Sequence, residues 1–113
     1  MAKLISLGAL YAQAEAPKSI PAGKYKVMAG KGVPKLPWHY KRIYKEPWGW
    51  YGYNVSIFKW GKFSIHIKGD HLRFNYIKSG ISDHVRQYGD GYVGKYYRKG
   101  KFKGYFTLVK VGE

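Results

Sequence analysis

Lys62, His66, Lys68, Arg73, Lys101, Lys103 and Tyr105 have the types and spacing for chemistry on a polyanion. Basic side chains two residues apart on an extended strand can each meet a phosphate, and an interleaved Tyr offers a π-face to a base. Charge on the wet side of a sheet is ordinary, so a merely solvated face is the competing reading. The charge balance favours a partner: 21 Lys and Arg face 6 Asp and Glu, a formal net charge of +15 on 113 residues. Such self-repulsion is relieved by a polyanion partner.

A second group is Trp48-Gly49-Trp50-Tyr51-Gly52-Tyr53. Trp48, Trp50 and Tyr51 are its stacking candidates for bases, and the same geometry suits a sugar or a flat ligand. Alternate residues of a strand point to opposite sides, so Trp48, Trp50 and Gly52 cannot share a face with Tyr51 and Tyr53. At least two of these rings are expected in the core.

The histidines suggest less. His39, His66, His71 and His84 are separated in sequence. His66 and His71 with Asp70 could ligate a metal, but the hairpin register derived below sets Arg73 opposite His66, and a guanidinium beside a cation site is unfavourable. No metal site and no cofactor are assigned. Asp83-His84-Val85-Arg86 holds the acid–base and charge-stabilising groups of a metal-independent ribonuclease. Glu46, the main distant acid, has no recognisable spacing to it, and a local contact in an irregular loop explains the segment as well. There is no Gly-rich phosphate loop, Ser nucleophile context or carboxylate pair, so no catalytic residue is assigned and the chain reads as non-enzymatic.

The elements that must position these residues read as β. Phe63, Ile65 and Ile67 alternate with Lys62, Ser64, His66 and Lys68, and Gly69-Asp70 is a two-residue hairpin turn. Placing Lys68 opposite His71 pairs Ile67 with Leu72, Ile65 with Phe74, Phe63 with Tyr76 and His66 with Arg73. Every apolar residue then meets an apolar partner, whereas a one-residue slip would mix the faces. In 101–108, Phe102, Gly104, Phe106 and Leu108 are expected on one face, with Lys101, Lys103, Tyr105 and Thr107 on the other. The preceding turn is Lys99-Gly100 or Gly100-Lys101. Further strands are expected at 24–29, 38–45, 50–60 and 92–98, with 38–45 an edge or bulged strand because of Pro34, Pro37 and Pro47. Residues 82–87 read as a helical turn or loop. Phe58-Lys59-Trp60-Gly61-Lys62-Phe63 echoes Tyr97-Arg98-Lys99-Gly100-Lys101-Phe102, suggesting two related turns.

About seven strands with short, Gly-rich turns imply an all-β antiparallel meander curled into a small barrel. The domain division is 1–23, an N-terminal arm and linker, and 24–113, the basic barrel. Only Lys3, Glu15 and Lys18 are charged before residue 24, so the positive charge belongs to the barrel. Residues 1–16 combine a basic start, an apolar run and A-x-A triplets, the pattern of a short signal peptide; a small docked helix or strand is the other reading. Read as uncleaved, the chain is cytoplasmic; read as cleaved, it is secreted. Cysteine is absent, which removes disulfides and thiolate chemistry. No run is long enough for a transmembrane segment.

The leading expectation is a module binding single-stranded nucleic acid or RNA with low sequence specificity. Two alternatives stand beside it. Gly-punctuated aromatic strands also describe a ligand-holding, lipocalin-like barrel in general terms. A Tyr- and Gly-rich β protein with an apolar arm could also self-assemble as a homo-oligomer, in a virion or filament, by pairing that arm with a neighbour's sheet edge.

Overall fold

A computed structural model describes residues 6–113. Of the signal-like segment 1–16, residues 1–5 lie outside the described residues. One helix, α1 (Leu7–Gln13), precedes eight strands: β1 (Gly23–Ala29), β2 (Tyr40–Glu46), β3 (Gly49–Val55), β4 (Lys59–Lys68), β5 (His71–Tyr76), β6 (Ile81–Tyr88), β7 (Gly91–Arg98) and β8 (Lys101–Gly112). Each strand pairs antiparallel with the next, and β8 pairs with β1, closing the barrel. Antiparallel order gathers the connections at two ends. Segments 30–39, 56–58, 77–80 and 99–100 share one, here the loop end. Turns 47–48, 69–70 and 89–90 share the other, the turn end, with the C-terminus.

Period-2 alternation sends Tyr25, Val27, Ile43, Phe63, Ile65, Leu72, Phe74, Val85, Phe106 and Leu108 into one interior cluster. Phe63 and Phe74 stack with ring centroids 4.8 Å apart. Two glycines make this packing possible. A Cβ on Gly52 would stand 2.4 Å from the Phe63 ring, and one on Gly94 would stand 2.3 Å from that of Phe106. Gly52 is the register partner of Phe63, and Gly94 of Phe106. Each ring therefore lies across its partner's bare backbone.

The register of the β4–β5 hairpin is the one expected, from Lys68 opposite His71 to Phe63 opposite Tyr76. The β7–β8 turn is Lys99-Gly100, both at positive φ (51° and 78°), as a type I′ hairpin turn requires.

Other expectations need correction. Segment 82–87 is neither helix nor loop; it lies within β6, the strand absent from the seven-strand count. Residues 50–60 divide into β3, a turn and the start of β4. Strand β2 is not an edge, since β1 and β3 flank it. The two echoed glycines differ in role: Gly100 makes a turn, whereas Gly61 (φ 62°) lies inside β4 beside a register shift. A bulge also changes the face of Phe102. Tyr97 pairs with Phe102 but Tyr96 with Gly104, so Lys103 is the extra residue. Phe102 consequently leaves the Phe106–Leu108 face, packs on Tyr97 and Tyr105, and is 46% exposed.

The described part of the arm folds on its own barrel. Ser6 caps α1 by accepting from the Ala9 N–H at 3.1 Å. Tyr11 and Ala14 bury Val93 on the outside of β7, and Glu15 exchanges two 2.8 Å backbone hydrogen bonds with Gln87. The expected linker, 17–23, is also committed: Ile20 packs against the interior cluster and Gly23 begins β1. Closure leaves the described sheet with no free edge for a neighbour's arm to extend.

Candidate functional site

The barrel separates the seven basic-face candidates. Lys62, His66, Lys68 and Arg73 lie on the outer wall of β4 and β5, with His66 opposite Arg73. Lys101, Lys103 and Tyr105 belong to β8, across the ring from β4. Tyr105 is also partly covered by α1, its ring centroid 6.2 Å from that of Tyr11. The seven do not form one face.

The aromatic group is also divided. Trp50 turns inward and packs against the core, while Trp48 stands 72% exposed in the turn before β3. Tyr51 and Tyr53 face outward beside Tyr44 on β2, at centroid distances of 6.5 and 5.8 Å. Cations attend these rings: Lys62 Nζ lies 4.9 Å from the Tyr51 centroid and Lys59 Nζ 4.1 Å from that of Tyr53. Next to them, Lys24, Tyr40, Arg42, Tyr53 and Val55 line a groove of about 170 Å³. Lys24 Nζ sits 4.5 Å over the Tyr40 ring. Of the predicted residues, Lys62 and Tyr51 border this wall. Lys24, Tyr40, Arg42, Tyr53 and Lys59 were missed, although outward Tyr and Arg alternate along 40–44 in the sequence.

Carboxylates are segregated along the barrel axis. Glu46, Asp70, Asp90 and Glu113 lie at or beside the turn end, and Glu15 is held there by Gln87. Asp83 is inside. The loop end carries Lys31, Lys35, Lys59, Lys78, Arg98, Lys99 and Lys101, with no carboxylate among the described residues. Among the described residues, the one ion pair on the outer wall of β2–β4 is Lys62–Glu46, at 3.6 Å.

A polar cluster lies inside the barrel towards the loop end. Lys41, Asn54 and Asp83 are 3%, 0% and 1% exposed. Lys41 Nζ donates to Asn54 Oδ1 (2.8 Å) and to the Tyr76 hydroxyl, and it lies 3.5 Å from Asp83 Oδ2. Asn54 Nδ2 donates to Tyr76 (2.8 Å) and to the Gly61 carbonyl (3.2 Å), while His39 Nε2 meets Asn54 Oδ1 at 2.7 Å. Burial pushes the Asp83 carboxyl up to about 6, against the pull of Lys41. The same burial lowers the Lys41 ammonium, against the pull of Asp83. Beside the cluster is a cavity of about 40 Å³, with Val33, Pro34 and Leu36 of segment 30–39 and Trp60 among its lining. Cavities that take a benzene ring are roughly 150 Å³, so this one is small for a flat ligand or a lipid.

The ribonuclease-like constellation is split by the wall. Asp83 points inward to Lys41. His84 points outward, stacked between His71 (4.3 Å) and Tyr97 (4.4 Å), and burial with nearby cations lowers its pKa to about 4. Arg86 Nη1 donates to the Tyr11 carbonyl at 2.9 Å. No helix among the described residues is long and apolar enough to cross a membrane. Compared with protein-family models, curated proteins and solved structures, the chain matches none of them.

Proposed function

We propose that the chain is a non-enzymatic polyanion-binding module that holds single-stranded nucleic acid on the outer wall of β1–β4. The observation that carries this reading is the groove of Lys24, Tyr40, Arg42, Tyr53 and Val55, which has two cations and two rings and, among the described residues, no carboxylate in its lining. Two positive groups placed for phosphates beside two phenol rings are what a sequence-tolerant single-strand site needs. Glu46 at the strand end is engaged by Lys62 and leaves the groove unopposed.

The test is fluorescence-anisotropy titration with single-stranded DNA, RNA and heparin over a range of salt. Engagement of five or six phosphates gives a slope of log K against log salt of roughly −4. Replacing Lys24 and Arg42 together by Ala should flatten that slope by about 1.4. Tyr40→Ala should weaken binding by about 1–3 kcal/mol with little change in slope. Salt-independent binding refutes the proposal, and equal affinity for heparin reduces it to generic polyanion attraction.

A further inference from the structure

The loop end exposes large apolar side chains that the nucleic-acid wall does not use. Trp38 and Ile57 are each 74% exposed, Phe58 70%, Ile77 56% and Leu36 36%. They come from three separate connections, 30–39, 56–58 and 77–80, which antiparallel closure brings to one end. Trp38 also holds φ 49°, a left-handed conformation unfavourable for a bulky residue, without the compensation of burial. Around these tips stand Lys31, Lys35, Lys59, Lys78 and Lys99, and every carboxylate but the buried Asp83 lies at or towards the opposite end.

We propose that the loop end is a docking surface for an anionic lipid bilayer, into whose interface Trp38, Ile57, Phe58 and Ile77 insert. Apolar tips gain by leaving water for the acyl boundary, and Trp is at home at the headgroup level. The lysine collar meets anionic headgroups, each lysine near such a surface contributing roughly fivefold in partitioning. The opposite end is the internal contrast. It also exposes Trp48 (72%) and Ile67 (56%), but there Glu46, Asp70, Asp90 and Glu113 offset Lys45, Lys68 and Lys110, leaving no surplus of cations to meet the same surface. Charge therefore decides which apolar end docks. Nucleic acid would satisfy the lysines but gives Ile57 and Ile77 no apolar environment.

The experiment is sedimentation of the full chain with vesicles of phosphatidylcholine, with and without phosphatidylglycerol, combined with tryptophan emission. Partitioning should require phosphatidylglycerol, and emission should shift to the blue on binding. The double variant Trp38→Ala/Phe58→Ala should lose about tenfold or more in partitioning while keeping its oligonucleotide affinity. Lys35→Ala/Lys78→Ala should lose roughly twenty-five-fold. Trp48→Ala should bind like the parent and retain the blue shift. Because these positions are exposed, unchanged thermal melts will show that the variants fold. Equal vesicle binding by the Trp38/Phe58 variant, or loss of its oligonucleotide binding instead, overturns the docking surface. Loss of oligonucleotide binding by the Lys24/Arg42 variant with vesicle binding intact separates this surface from the nucleic-acid wall.

Discussion

Lys41 and Asp83 make the stability of this barrel depend on a buried ion pair, and the dependence can be worked through. Asp83 titrates at about 6 in the fold, above the 3.8 of an ordinary carboxyl. Between those values the native state holds a proton that the unfolded chain has released, so stability falls as pH rises through that window. The rise from 3.8 to about 6 corresponds to roughly 3 kcal/mol lost by pH 7. Lys41, lowered by burial, acts in the opposite sense at alkaline pH. There the unfolded chain holds the proton longer, and stability rises with pH towards the ordinary lysine value. Lys41→Met removes the nearest cation and should cost about 3–5 kcal/mol near neutrality. It should cost less at about pH 4.5, where Asp83 is already protonated. Lys41→Met/Asp83→Leu, which removes both charges, should range from neutral to about 4 kcal/mol more stable, and its pH profile should lose both slopes. Urea melts of parent, single and double variants at the two pH values measure all of this. If the single losses simply add in the double variant, or if Lys41→Met is as harmful in acid as at neutrality, the coupled buried pair is the wrong description.

Two further predictions concern packing and titration. Gly52→Ala and Gly94→Ala each drive a methyl into a phenyl ring and should destabilise by about 1–3 kcal/mol or more in denaturant melts. Phe63→Leu should recover part of the loss in Gly52→Ala and none in Gly94→Ala, because each ring lies over only one of the two glycines. His84 should remain neutral until near pH 4 in an NMR titration, its folded pKa lying below the ordinary 6.5. Its neutral form then favours the fold, and that contribution is lost as pH falls from the ordinary value through the folded one. Replacing Arg73 and Lys95, two of the cations that lower it, should raise its midpoint.

Legibility in the sequence followed the alternation. The β4–β5 register could be read because its inward residues, Phe63, Ile65, Leu72 and Phe74, are all apolar and only one pairing matches them. Strand β6 was hidden because Asp83 stands inward between Ile81 and Val85 and interrupts the pattern. Lys41 stands in a segment with Arg42 and Lys45, and only Ile43 two residues on marks its side as interior. Asn54 likewise follows inward Trp50 and Gly52. These three breaks, on β2, β3 and β6, converge in space as the interior cluster. Their shared side was the available signal, but it requires the strand phases to be known first. The face of Phe102 was lost to a one-residue bulge that local alternation does not encode.

Sequence alone determined the alternating faces of β4 and β5, the surplus of cations and the Gly69-Asp70 turn, since each depends on neighbours a few residues apart. Tertiary structure decided which segments stand together. An eight-strand closed ring sets β4 and β8 on opposite walls and divides a basic face that looked continuous. Antiparallel order collects every second connection at the same end, so Glu46, Asp70 and Asp90, which recur about once per hairpin, gather with Glu113 at one rim and offset Lys45, Lys68 and Lys110 there. The intervening connections become an apolar, lysine-ringed crown. Such groupings follow from pairing over the whole chain, and no local stretch contains them.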